Sequence, residues 1–180
     1  MAGLKLILTG LTALILAACQ TAPVASSGTA YLVRHAEKVI GDAVMKIEDP
    51  RDPPLTEAGQ ARAEALADRL EASGITEIWS SDTTRTRDTA APLAARLGAE
   101  VMLYDPFDLE GFAAQLKANP AVSILVVGHS NTTPQLAAAL GAEPGDPIVE
   151  ATEYDRLYII DLATGSGEIE RFGAASVNQD

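Results

Sequence analysis

Between Thr29 and Phe172 short apolar runs alternate with longer stretches whose apolar residues recur at helical spacing, and a chain patterned this way folds as a layered α/β domain. Tyr31-Leu32-Val33, Ile75 to Trp79, Val101 to Tyr104 and Val122 to Val127 read as strands. The last of these, VSILVV, is almost continuously apolar, as a central parallel strand covered on both faces is. Leu55 to Ser73, Thr83 to Leu97, Leu109 to Ala118 and Pro134 to Leu140 read as helices, with Thr56 and Asp108 as N-caps and Gly74 and Gly98 as stops. Leu157 to Leu162 and Ile169 to Phe172 are late strands joined by the Thr164-Gly165-Ser166-Gly167 turn. This order predicts an α/β domain with a mostly parallel sheet covered on both faces. A chain of 180 residues has room for one such core.

In sheets of this kind ligands bind beyond the carboxyl ends of the strands. The residues there are unusual: Arg34-His35 after the first strand, Ser80-Ser81 before the helix that carries Arg85, and Gly128-His129-Ser130 after the VSILVV strand. The chain has only two histidines, and both fall at strand ends. Two arginine forks from different strands can neutralise a phosphoryl dianion. Arg85 lies in the first turn of its helix, where backbone N–H groups also favour an anion. One histidine can attack phosphorus and hold the phosphoryl group covalently, and a second, protonated, can stabilise its oxygens. The blander reading makes each histidine a hydrogen-bonded residue at a strand end. A divalent metal site is the other alternative, but no H-x-H or H-x-x-x-H spacing exists and the adjacent arginines oppose a cation. Arg87 reads as a solvated helix residue.

The formal charge of −12 disfavours nucleic acid and anionic membrane surfaces as partners, so an anionic ligand needs a local basic pocket. The N-terminus is patterned separately. After Lys5 an apolar run extends from Leu6 to Ala18, short of the ~20 residues that span a bilayer. The only cysteine, Cys19, closes it after Leu16-Ala17-Ala18. This resembles the lipobox of bacterial lipoproteins, which implies a signal peptide at 1–18, a lipidated Cys19 and an exported protein at the periplasmic face or cell surface. The alternative is an ordinary signal peptide or uncleaved anchor. Residues 19–28 read as the lipidated cysteine and a flexible tether, and the folded domain as 29–180.

Four motifs carry a further resemblance: L-V-R-H-A-E at 32–37, P-L-T-E-A-G at 54–59, S-S-D-T-T-R-T-R-D-T at 80–89 and V-V-G-H-S-N at 126–131. In this order they resemble the motifs of the histidine phosphatase superfamily, also called phosphoglycerate mutase-like. The small size resembles the branch of short phosphohistidine phosphatases. The resemblance implies an α/β/α sandwich and a phosphoric monoester hydrolase of the histidine acid phosphatase type, with no metal and no organic cofactor. His35 is then the nucleophile that forms a phosphohistidine, and Arg34, Arg85 and His129 complete the phosphate pocket. A water cleaves the phosphoenzyme.

Two departures stand out. The glycine usual after the nucleophile is Ala36, which fits if its φ is negative. The general acid has no clear local motif. Asp105, Asp108 and Glu110 lie in the matching stretch and Glu37 is close to the nucleophile; Asp108 is the first choice and Asp105 the next. The expected partner is a small phosphorylated substrate, with membrane contact through the lipid anchor alone. Location suggests envelope phosphomonoesters such as sugar phosphates, and the loop Val39 to Pro53 is expected at the mouth of the site. A non-catalytic phosphate-binding lipoprotein and a phosphomutase are the alternative readings.

Overall fold

The computed structural model describes residues 27–175. The expected signal peptide at 1–18 and Cys19 lie outside the described residues. A single six-stranded sheet has the order β3-β2-β4-β1-β5-β6. Its strands are β1 (Thr29–Arg34), β2 (Glu77–Ser80), β3 (Val101–Leu103), β4 (Ile124–Gly128), β5 (Arg156–Asp161) and β6 (Gly167–Arg171). The four strands β3, β2, β4 and β1 are parallel, whereas β5 and β6 add an antiparallel ribbon at one side. The helices are α1 (Glu57–Leu70), α2 (Thr84–Leu97), α3 (Leu109–Lys117) and α4 (Thr132–Leu140). The expected sandwich is therefore present, with element ends moved by at most three residues.

Side-chain alternation along the strands divides the core into two layers. Val33, Ile78, Leu125, Val127 and Leu157 pack against Leu66 and Leu70 of α1 and Ala90 and Leu93 of α2. Ala30, Leu32, Ile124, Val126 and Ile160 face Phe112 and Leu116 of α3 and Leu136 and Leu140 of α4. All five residues of β4 are buried, as its apolar run demands. The chain leaves β1 toward the α1–α2 layer and leaves β4 toward the α3–α4 layer. These two strands are neighbours, so a crevice opens between their carboxyl ends.

Gly28, expected in the tether, belongs to the fold. Its N–H donates to Pro120 O at 2.6 Å and its carbonyl accepts from Leu162 N at 3.0 Å. At the opposite edge of the sheet, Gly59 lets α1 approach the strand exit. A Cβ there would stand 2.2 Å from Glu37 O, which is why the P-L-T-E-A-G motif ends in glycine. Thr56 caps α1 as expected, accepting from Gly59 N at 3.1 Å. The segment between Val39 and Pro54 contains a short 3₁₀ helix, Gly41–Lys46, and is closed at its neck by Val39 N–H donating to Pro54 O.

Candidate active site

Register places the two histidines side by side. Arg34 pairs with Gly128 across β1 and β4, so His35 and His129 are the first residues past the ladder on adjacent strands. His35 N–H continues the pairing by donating to Gly128 O at 2.9 Å. The imidazole centroids are 5.5 Å apart and the rings meet edge to face. Gly128 is small of necessity, because a Cβ would lie 2.8 Å from the Tyr104 hydroxyl and 2.9 Å from Thr132 Oγ1.

His35 is 2% exposed, and its Nδ1 lies 2.8 Å from Ala36 O. A carbonyl can only accept, so Nδ1 carries the proton and Nε2 keeps its lone pair. Burial pushes the His35 pKa down to about 2; the Ala36 carbonyl opposes this, while the charges of Arg34, Arg85 and His129 reinforce it. The ring is thus neutral and nucleophilic at Nε2. Ala36 has no positive φ and is fully buried beside Leu55 and Ala63, so alanine fits where the resembling family has glycine.

Arg34 is 1% exposed and stacks over the Tyr154 ring at 4.1 Å. Its Nη1 donates to Glu153 O and Val149 O and its Nη2 to Glu150 O, so three carbonyls of the α4–β5 loop hold the guanidinium. Arg85 approaches from the first turn of α2, where its Nη1 meets Asp52 Oδ1 at 3.3 Å. Among the described residues, the buried Nε–H of each of these arginines has no partner. Two unpaired cationic donors beside a neutral imidazole form an anion site, since a buried N–H left unpaired is costly.

The N-terminus of α2 differs from expectation. Its first N–H does not await an anion: both carboxylate oxygens of Asp52 accept from Thr84 N, and the Thr84 hydroxyl donates to Asp52 Oδ2 at 2.7 Å. The D-P-R-D-P-P loop thereby caps the helix from a distance and fixes Arg85.

His129 Nε2 lies 2.9 Å from Ser81 Oγ, and its backbone N–H donates to Thr132 Oγ1. Burial, followed by the charges of Arg85 and Lys38, pushes its pKa down to about 4, against an opposing pull from Glu150. The expected protonated second histidine is therefore neutral in the unliganded site, and an arriving dianion is what would restore its proton.

The remaining candidates are engaged in other bonds. Glu37 is buried and bidentate to Arg62, with Nη2–Oε1 at 2.6 Å, and this pair ties the first motif to α1. Asp108 caps α3 by accepting from Gly111 N, and Asp105 accepts from Phe107 N; neither has a hydrogen bond or ion pair to the four basic residues. Arg87 is an exposed residue paired with Asp82. Sequence reasoning gave no role to Ser81, Asp52, Lys38 or Glu150. Ser81 is the second residue of the motif at 80–89 and could have been found there, whereas Glu150 lies in a loop without any motif. Among the described residues no cluster of three or more metal-ligating side chains occurs.

Residues 30–108, which hold Arg34, His35 and Arg85, match the family model of the histidine phosphatase superfamily, branch 1. The chain is similar over part of its length to proteins described as "Probable phosphoglycerate mutase GpmB". One from Photorhabdus laumondii is 42% identical over 73 residues, 41% of this chain and 34% of the relative. One from Cronobacter sakazakii is 45% identical over 76 residues, 42% of this chain and 34% of the relative. The alignment thus spans about a third of the length of these curated relatives. The fold is similar to that of the protein histidine phosphatase SixA complexed with tungstate, with a TM-score of 0.61 and 21% identity over 81% of this chain and 96% of that one. It is also similar to a mycobacterial glucosyl-3-phosphoglycerate phosphatase, with a TM-score of 0.58 and 16% identity over 83% of this chain and all of the other.

Proposed function

We propose that this chain, with the sequence signature of the histidine phosphatase superfamily over 30–108, is a phosphoric monoester hydrolase acting through a phosphohistidine on His35. One observation carries the reading: a neutral His35 with Nε2 left to attack, flanked by the unpaired Nε–H donors of Arg34 and Arg85. That SixA, of similar fold, takes tungstate, a tetrahedral oxyanion, is consistent with it.

In the first step His35 Nε2 attacks phosphorus and the bond to the leaving oxygen breaks. Arg34, Arg85 and His129 take up the charge on the equatorial oxygens, so positive charge comes from side chains and no metal is required. In the second step water attacks phosphorus, the P–N bond breaks, and His35 recovers its lone pair.

The experiment is a rapid-quench assay of the purified protein with a radiolabelled phosphomonoester in EDTA. Acid-labile, base-stable label on the wild type and none on His35→Ala supports the reading. Turnover abolished by chelation, or undiminished in His35→Ala, refutes it. The mutase reading has one specific support, the description of the relatives from Photorhabdus laumondii and Cronobacter sakazakii. It predicts phosphoryl return to a second hydroxyl in place of free phosphate. Binding without turnover would mark a non-catalytic phosphate-binding protein.

The lipobox-like end of the Leu6–Ala18 run supports a second part of the proposal, export with a lipid on Cys19. On that basis the substrates are small phosphorylated compounds of the envelope. Labelling of cells with a radioactive fatty acid, present in the wild type and absent in Cys19→Ala, tests the anchor. A substrate panel without turnover of sugar phosphates removes the envelope-sugar assignment.

A further inference from the structure

Glu150 lies in the loop between α4 and β5, outside all four motifs, yet its carboxylate is set among the cations of the site. Oε1 is 3.1 Å from Arg34 Nη2 and 3.6 Å from Lys38 Nζ, and Oε2 accepts from the Ser130 hydroxyl. Its charge also acts on Arg85, His129 and Tyr154. The loop that carries it is held by Arg34 through the carbonyls of Val149, Glu150 and Glu153. The loop is thus anchored at its base by Arg34, while the Glu150 side chain itself is 60% exposed.

We infer that Glu150 is the acid that protonates the leaving oxygen, an inference that rests on the phosphatase reading above. The other carboxylates near the crevice are committed. Asp52 is bound by the first N–H and hydroxyl of α2, where the helix dipole favours its anion. Glu37 is locked on buried Arg62, and Asp105 and Asp108 are engaged in their own turns. Glu150 is held instead by Arg34, Lys38 and Ser130, donors that an incoming phosphoryl group would engage in its place.

That exchange supplies the proton. In the free protein partial burial opposes ionisation, but the Ser130 hydroxyl, Arg34 and Lys38 outweigh it and hold the carboxyl below its ordinary value. When phosphoryl oxygens take over those donors, Glu150 loses counter-charge and faces a dianion, and both effects favour uptake of a proton. As His35 Nε2 bonds to phosphorus, the P–O pair leaves with the alkoxide oxygen, which takes the proton from Glu150. In the second step the carboxylate accepts a proton from the attacking water, which restores the acid.

The test compares the full chain with Glu150→Gln on a series of substituted phenyl phosphates. Phenyl phosphate needs a proton on its leaving oxygen, whereas 2,4-dinitrophenyl phosphate does not. The variant should lose about 100-fold in kcat on the first and only a few-fold on the second, and the alkaline limb of the wild-type pH profile should disappear. Glu150→Asp should recover part of the loss. Equal losses across the series, a gain in turnover, or an unchanged alkaline limb would overturn the assignment. His35→Ala, measured alongside, tests the phosphatase reading separately, because it predicts loss on every substrate regardless of leaving group.

Discussion

The Ala36 N–H donates to Thr89 Oγ1 at 3.0 Å, and the same hydroxyl donates to Arg85 O at 2.7 Å. One buried side chain thus joins the turn that carries His35 to the helix turn that carries Arg85. Thr89→Val keeps the shape and removes the link, leaving the Ala36 N–H unpaired. We expect a loss of about 1–3 kcal/mol in denaturant unfolding, together with a lower kcat at unchanged secondary structure. Wild-type kcat in that variant would mean that the link does not position the pocket.

The histidines make the fold sensitive to acid. Both folded pKa values are depressed from 6.5, to about 2 for His35 and about 4 for His129. Above pH 6.5 both residues are neutral in either state and cost nothing. As pH falls below 6.5 the unfolded chain binds protons that the folded protein refuses, so stability declines, with both contributing down to about pH 4 and His35 alone below it. The thermal midpoint should fall between pH 7 and pH 5, and fall less in His129→Gln. A midpoint independent of pH over that range would contradict the depressed values.

Glu37 and Arg62 are a buried pair, 6% and 5% exposed, and Arg62 also donates to Phe172 O and Ala174 O. Arg62→Ala leaves the Glu37 charge uncompensated and should cost about 3–5 kcal/mol. Replacing both by apolar residues should cost less than Arg62→Ala alone. Denaturant midpoints of the single and double variants check this ordering.

Asp52 caps α2 from the loop across the mouth of the site. Asp52→Ala should reduce stability by about 1 kcal/mol and, by releasing Arg85, raise KM more than it lowers kcat. A steady-state comparison with one chromogenic phosphomonoester separates these effects.

The sheet, its two helical layers and the four basic residues were legible in the sequence because each depends on local pattern. Apolar periodicity announces β4, and strand-end position singles out His35 and His129. The acid proposed here was not legible, because Asp108 and Asp105 were chosen for lying in the stretch that matches the resembling family. Glu150 reaches the pocket through a loop whose path is set by Arg34 rather than by anything in its own neighbourhood. Asp52 was likewise hidden, since a helix capped by a residue 32 positions away leaves no local capping signature. That His129 is neutral in the unliganded site was equally hidden, because burial, the largest cause, and the charges of Arg85 and Lys38 come from the folded surroundings.

The chain enters the domain at Gly28, and the six residues of β1 then carry it to the opposite edge of the sheet before His35 is reached. At about 3.3 Å per residue, that strand sets the point of attachment and the point of reaction some 20 Å apart, on opposite ends of the same rod. The N-terminal segment therefore joins the folded domain at the end of the sheet remote from the crevice.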